Sequence, residues 1–123
     1  MMRLSIIGFA IALAACSSDA DKLGVGAECT ANEDCRTDLN QTCLMQFAGG
    51  YCGIQGCQGD ADCPEDAACV APGDGNNYCF RICIDKVDCN ANRTVDNESN
   101  CSANITFISG AQGRKACIPP SGT

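Results

Sequence analysis

Apolar and polar positions divide the chain into two unlike parts. Residues 4–14 (LSIIGFAIALA) form an uncharged run of eleven, which Ser17, Ser18, Asp19, Asp21 and Lys22 bring to an end. Beyond residue 28 no window of useful length repeats at the helical period. Apolar residues gather instead in short stretches bounded by Gly, Asn, Asp and Pro, the pattern of short strands and turns. Strands are predicted over 42–47, 68–71, 78–84 and 105–109, and the last two are richest in β-branched and aromatic residues. Gly49-Gly50, Gly73-Asp74-Gly75-Asn76 and Ser109-Gly110 supply residues that accept the positive φ of hairpin turns. As a strand, 105–109 places Ile105 and Phe107 on one face and Ile108 on the other. Because this loop holds no cysteine, Ile105, Phe107 and Ile108 are the candidate exposed contact surface.

The cysteines impose a second pattern. There are 13 among 123 residues, and after Cys16 they fall into three sets of four. These are Cys29, Cys35, Cys43 and Cys52; Cys57, Cys63, Cys69 and Cys79; and Cys83, Cys89, Cys101 and Cys117. Five residues separate the first two cysteines of every set, and an aspartate (Asp34, Asp62, Asp88) precedes every second cysteine. Such first-to-second segments suit single turns, with the aspartate side chain bonding nearby backbone N–H groups. Tyr51 and Tyr78 stand directly before the fourth cysteine of their units, a position for an aromatic packed over a disulfide; Ala116 replaces them in the third. The units, 29–52, 57–79 and 83–117, are joined by only a few residues. Units this small bury a face only against their neighbours, so one body over 29–117 is expected, followed by a tail over 118–123. The longer inner spacings of the third unit suit either a recognition loop or a tolerated insertion.

Cysteine content above a tenth marks a small disulfide scaffold, the expected fold class: three tandem four-cysteine repeats of short hairpins and turns with little helix. Only sixteen large apolar or Tyr side chains lie between Cys29 and Cys117, so covalent links must supplement the interior. Disulfides persist outside the cytoplasm. Arg3 followed by the apolar run has the form of a signal peptide, and eleven residues are too few to span a bilayer.

Leu13-Ala14-Ala15-Cys16 resembles the lipobox of bacterial lipoproteins. That resemblance implies a signal peptide over 1–15, acylation of Cys16 as the new N-terminus, and membrane attachment through the lipid. Ser17 is similar to the signals that send lipoproteins to the outer membrane, with the periplasmic or surface face left open. Parity agrees: setting Cys16 aside leaves an even twelve, whereas ordinary secretion with cleavage upstream leaves an odd thiol. Residues 16–28 then read as a lipidated flexible tether. The tandem units resemble the cysteine-rich repeats of secreted proteins and, more weakly, Dickkopf and colipase modules. By that analogy pairing is interleaved within each unit, first to third and second to fourth; four cysteines by themselves allow three connectivities.

Chemistry is sparse. With no His, the Ser-His-Asp and Cys-His templates fail, and the absence of C-x-x-C removes the usual redox motif and zinc knuckle. Asp60/Asp62 with Glu65/Asp66, and Asp74/Asn76, do not follow the EF-hand spacing and read as solvated acidic loops. The sequons at Asn40, Asn92, Asn97 and Asn104 read as coincidence in a bacterial lipoprotein. No catalytic residue, metal or cofactor is expected. Removal of Arg3 takes the net charge from −7 to −8, which argues against nucleic acid as a partner. The expected function is a non-enzymatic module for binding a protein or glycan, or for surface structure. The alternative is a stapled protease inhibitor presenting Ala71-Pro72-Gly73 or Gly113-Arg114-Lys115.

Overall fold

A computed structural model describes residues 24–121 of the chain. The apolar run and Cys16 lie outside the described residues. Six disulfides join the twelve cysteines from Cys29 to Cys117: Cys29–Cys43 and Cys35–Cys52 in the first unit, Cys57–Cys69 and Cys63–Cys79 in the second, Cys83–Cys101 and Cys89–Cys117 in the third. The fold is small and disulfide-rich, made mostly of strands and turns.

The described residues contain seven short strands: β1 (Thr42–Cys43), β2 (Cys52–Gln55), β3 (Ala67–Ala71), β4 (Tyr78–Cys83), β5 (Asn100–Ser102), β6 (Thr106–Phe107) and β7 (Lys115–Ile118). Among the described residues helix is confined to isolated 3-10 turns and one five-residue turn, α1 (Lys86–Asn90). β4 holds the three units together because it contains both the last cysteine of the second unit and the first of the third. It pairs along its length with β3, at its start with β2 through Ile54 opposite Cys79, and at its end with β7 through Ile82 opposite Ala116. β6 returns from the third unit to pair with β3, placing Phe107 opposite Val70.

Each unit opens on the same turn, and the cause is chemical. The carboxylate of Asp34 accepts from the N–H groups of Thr30 and Ala31, that of Asp62 from Gln58, and that of Asp88 from Ile84 and Asp85. A short side chain ending in two acceptors closes the turn and presents the following cysteine inward. In the first two units a second side chain holds the third cysteine: Asn32 Oδ1 accepts from the Cys43 N–H and Asp60 Oδ1 from the Cys69 N–H. Lys86 occupies the equivalent place in the third unit and offers no acceptor. There Asn90 substitutes, accepting from the Ser99 N–H at 2.7 Å and donating to the Ser99 carbonyl at 2.9 Å.

The main core gathers at the junction of the units, around Tyr51, Tyr78, Phe80, Val70 and Leu44. Half-cystines of the first and third units form two smaller buried clusters. Phe47 stands edge-on to Tyr51, Tyr78 and Phe80, with ring centroids 5.3–6.1 Å away. The tyrosines expected to cover a disulfide therefore build an aromatic cluster with these phenylalanines.

Several boundaries differ from the sequence reading. Residues 24–28 are not part of a flexible tether: Val25 and Ala27 are buried, and Gly26 and Ala27 hydrogen-bond Cys52 through their main chains. Part of the tail is also packed, since Ala48 donates to the Pro120 carbonyl and Phe47 bridges Ser121. The strand predicted over 42–47 ends at Cys43. Leu44 turns into the core and the chain bends at Met45 and Gln46, which delivers the Phe47 ring to the aromatic cluster.

Candidate functional site

The three residues expected to form an exposed contact surface do not form one. Phe107 is 7 % exposed, held by its pairing with β3 and covered by the Arg114 guanidinium 5.3 Å from its ring centroid. Ile105 packs partly buried against the main core, and Ile108, 39 % exposed, alone turns outward. Pairing of β6 with β3 folds the loop onto the second unit and converts its apolar face into core.

Arg114 is drawn inward by the same loop. It pairs with Asp60 at 2.8 Å and donates to the carbonyls of Ala111 and Gly110. A cation committed in this way is not displayed for a protease pocket. The loop that follows β3, with Pro72, Gly73 and Asp74, remains at the surface between two strands anchored by Cys69 and Cys79.

Asp60, Asp62 and Asp74 likewise have internal partners. Asp60 serves Cys69 and Arg114, and Asp62 serves Gln58. Asp74 accepts from the Tyr78 hydroxyl and the Asn76 N–H, and the Tyr78 bond leads among the effects holding its carboxyl below the ordinary value. Within each unit three sulfur atoms approach within 4.8 Å of one another, at Cys29, Cys35 and Cys52 and the two equivalent triplets. Each belongs to a disulfide, and a disulfide sulfur is not the thiolate that zinc coordination uses.

One important residue has almost no signature in the sequence. Arg93, in the long loop between Cys89 and Cys101, is buried against the first unit. It donates to the carbonyls of Gly50 and Ala48 at 2.7 Å, Gly26 at 3.3 Å and Asn97 at 2.7 Å, and lies 5.6 Å from the centroid of the Tyr51 ring. Burial pushes its pKa down, while nearby Glu28 opposes the shift. Glu28 itself accepts from the N–H and hydroxyl of Thr94; partial desolvation works against its ionisation, but these bonds hold its carboxyl below the ordinary value. The expanded third unit is thus an internal clamp on the first. Its only mark in the sequence is an arginine set among Asn and Thr in a loop without a cysteine.

Two open concave surfaces among the described residues are wide enough to meet a ligand. A cleft of about 420 Å³ lies between Phe47, Pro72, Asp74, Ile118 and Pro119, with a mainly apolar lining. A shallower groove of about 340 Å³ runs past Glu65, Asp66, Arg81, Ile82, Ile84 and Asp88. Among the described residues no helix is long and apolar enough to cross a membrane. No protein-family model, curated protein or solved structure matches the chain.

Proposed function

We propose that the chain is an extracytoplasmic lipoprotein: a non-enzymatic cysteine-rich module, acylated on Cys16, held at the bacterial outer membrane and used for binding or surface structure. One observation carries this reading. Six disulfides account for every cysteine from Cys29 to Cys117, leaving Cys16, in its lipobox-like setting, as the one member of the thirteen outside those pairs. Twelve paired half-cystines suit an oxidising compartment. Body and anchor then have separate tasks, the disulfides holding the surfaces rigid and the lipid holding them at the membrane.

Intact-mass measurement of the protein from membranes, before and after reduction, tests both parts. Acyl mass on a chain beginning at Cys16 is expected, together with a gain of twelve hydrogens on reduction and no alkylation before it. A free thiol at Cys16 overturns the lipoprotein reading. The inhibitor alternative retains the Ala71-Pro72-Gly73 loop, since Arg114 is engaged internally; inhibition of an elastase-like protease at micromolar concentration would favour it.

A further inference from the structure

Gly24, the first described residue, identifies the face of the body nearest the tether. A Cβ on Gly24 would lie 3.6 Å from Asp66 Oδ2 and 3.8 Å from Arg81 Nη1. Asp66 and Arg81, paired at 3.2 Å, also line the groove that contains Ile82, Ile84 and Asp88. The chain therefore enters the body beside this groove.

Two large apolar side chains stand out here. Ile84, in the groove, is 78 % exposed, and Val87, three residues on in α1, is 72 % exposed. The two cations nearby already have partners, Arg81 with Asp66 and Lys86 with Glu98 at 2.6 Å. Glu65 and Asp85, also exposed, give the segment an acidic balance.

Chain length determines what these groups can meet. Val25 and Ala27 are buried in the body, so on the lipoprotein reading at most residues 17–23 separate Cys16 from it. Seven residues reach at most about 25 Å when fully extended. A body confined so closely to a surface needs only a weak contact to occupy it, since the effective concentration is already high.

We propose that this face docks on the bilayer that holds the lipid. Ile84 and Val87 enter the boundary between headgroups and acyl chains, and Glu65 and Asp85 meet the ammonium groups of zwitterionic, amine-bearing phospholipids. An anionic lipid surface would repel the same carboxylates. This inference rests on the lipoprotein reading above.

The chain contains no Trp, so a single introduced Trp reports its own surroundings. Ile84→Trp and Val87→Trp report on the proposed face, and Met45→Trp, at a 60 % exposed site in the first unit, serves as the comparison. Each full-length lipidated variant is checked by intact mass and reconstituted in phosphatidylethanolamine–phosphatidylcholine vesicles, with and without brominated acyl chains. Emission at positions 84 and 87 is expected to shift to shorter wavelength and to be quenched by the brominated lipid, while that at position 45 stays water-like. Acylated, vesicle-bound protein with water-like, unquenched emission at positions 84 and 87 overturns the docking face and leaves the lipoprotein reading intact. A blue shift that brominated lipid does not quench identifies a second copy of the chain as the occupant and also overturns it. Protein without acyl mass overturns both.

Discussion

The Tyr51 hydroxyl donates to the Cys117 carbonyl oxygen at 3.0 Å across the interior, joining the first unit to the end of the third. The Tyr51 hydroxyl oxygen in turn accepts from the Arg81 N–H of β4 at 3.1 Å, so one fully buried side chain bonds all three parts of the frame. Burial pushes the phenol pKa far above its ordinary value, which keeps the hydroxyl proton in place for donation.

Tyr51→Phe conserves the ring and removes both bonds, leaving a buried carbonyl and a part-buried N–H without that partner. A loss of about 1–3 kcal/mol is expected. Thermal unfolding of the oxidised variant should show a lower Tm with six disulfides still formed. An unchanged Tm would show that the two groups find other partners.

Arg93 tests whether the third unit clamps the first. Arg93→Met keeps much of the side-chain bulk but withdraws the donors from the carbonyls of Gly50, Ala48, Gly26 and Asn97. Denaturant titration should register a loss of roughly 3 kcal/mol. Arg93→Lys should fall between the two, because an ammonium cannot reproduce the planar fork. Equal stability of all three proteins would mean that the clamp contributes nothing.

Gly50 is a steric requirement of the first unit. It has φ +69°, and a Cβ there would lie 2.2 Å from the Cys29 carbonyl oxygen and 2.8 Å from the sulfur atoms of Cys29 and Cys43. Gly50→Ala should cost about 3 kcal/mol or more and lower the yield of the Cys29–Cys43 bond on oxidative refolding. Peptide mapping of the refolded variant measures that yield. Native pairing in wild-type yield would contradict the geometry.

The repeated aspartates predict a direction of pH dependence. Hydrogen bonds from the Thr30 and Ala31 N–H groups, then from the Thr30 hydroxyl, hold the Asp34 carboxyl below its ordinary value of 3.8. Bonds from the Asp85 and Ile84 N–H groups do the same for Asp88. A carboxyl whose pKa is lower in the folded than in the unfolded chain contributes stability above its unfolded value and loses it as pH falls through the folded value. Stability should thus decline as pH drops below about 4. Asp34→Asn with Asp88→Asn should be less stable at pH 7 and show a shallower acid decline in denaturant titrations at successive pH values. Parallel curves for the two proteins would exclude these carboxylates as the source.

Much of the frame is visible in the one-dimensional pattern. Spacing of the cysteines marks the three units and the fold class, and the aspartate before each second cysteine locates the three opening turns, because both features are local. The hairpin of the second unit is also legible: strands read over 68–71 and 78–84 correspond to Ala67–Ala71 and Tyr78–Cys83. The interleaved pairing came from analogy, and the connectivity described here comes from the tertiary structure.

What no local pattern carries is how the units meet. β2, β5 and β7, with sequences CGIQ, NCS and KACI, have little strand character of their own and become strands beside β1, β4 or one another. Arg93 becomes a clamp only because the loop after Cys89 lies over the carbonyls of Gly50 and Ala48. Phe107 leaves the surface because β6 pairs with β3, and Val25 leaves the tether because Cys52 bonds its neighbours. Residue type and spacing determine turns closed by nearby atoms and the number of sulfur atoms to be paired. Burial depends on which distant segments touch, and that was decided only when β4 drew the three units onto one sheet.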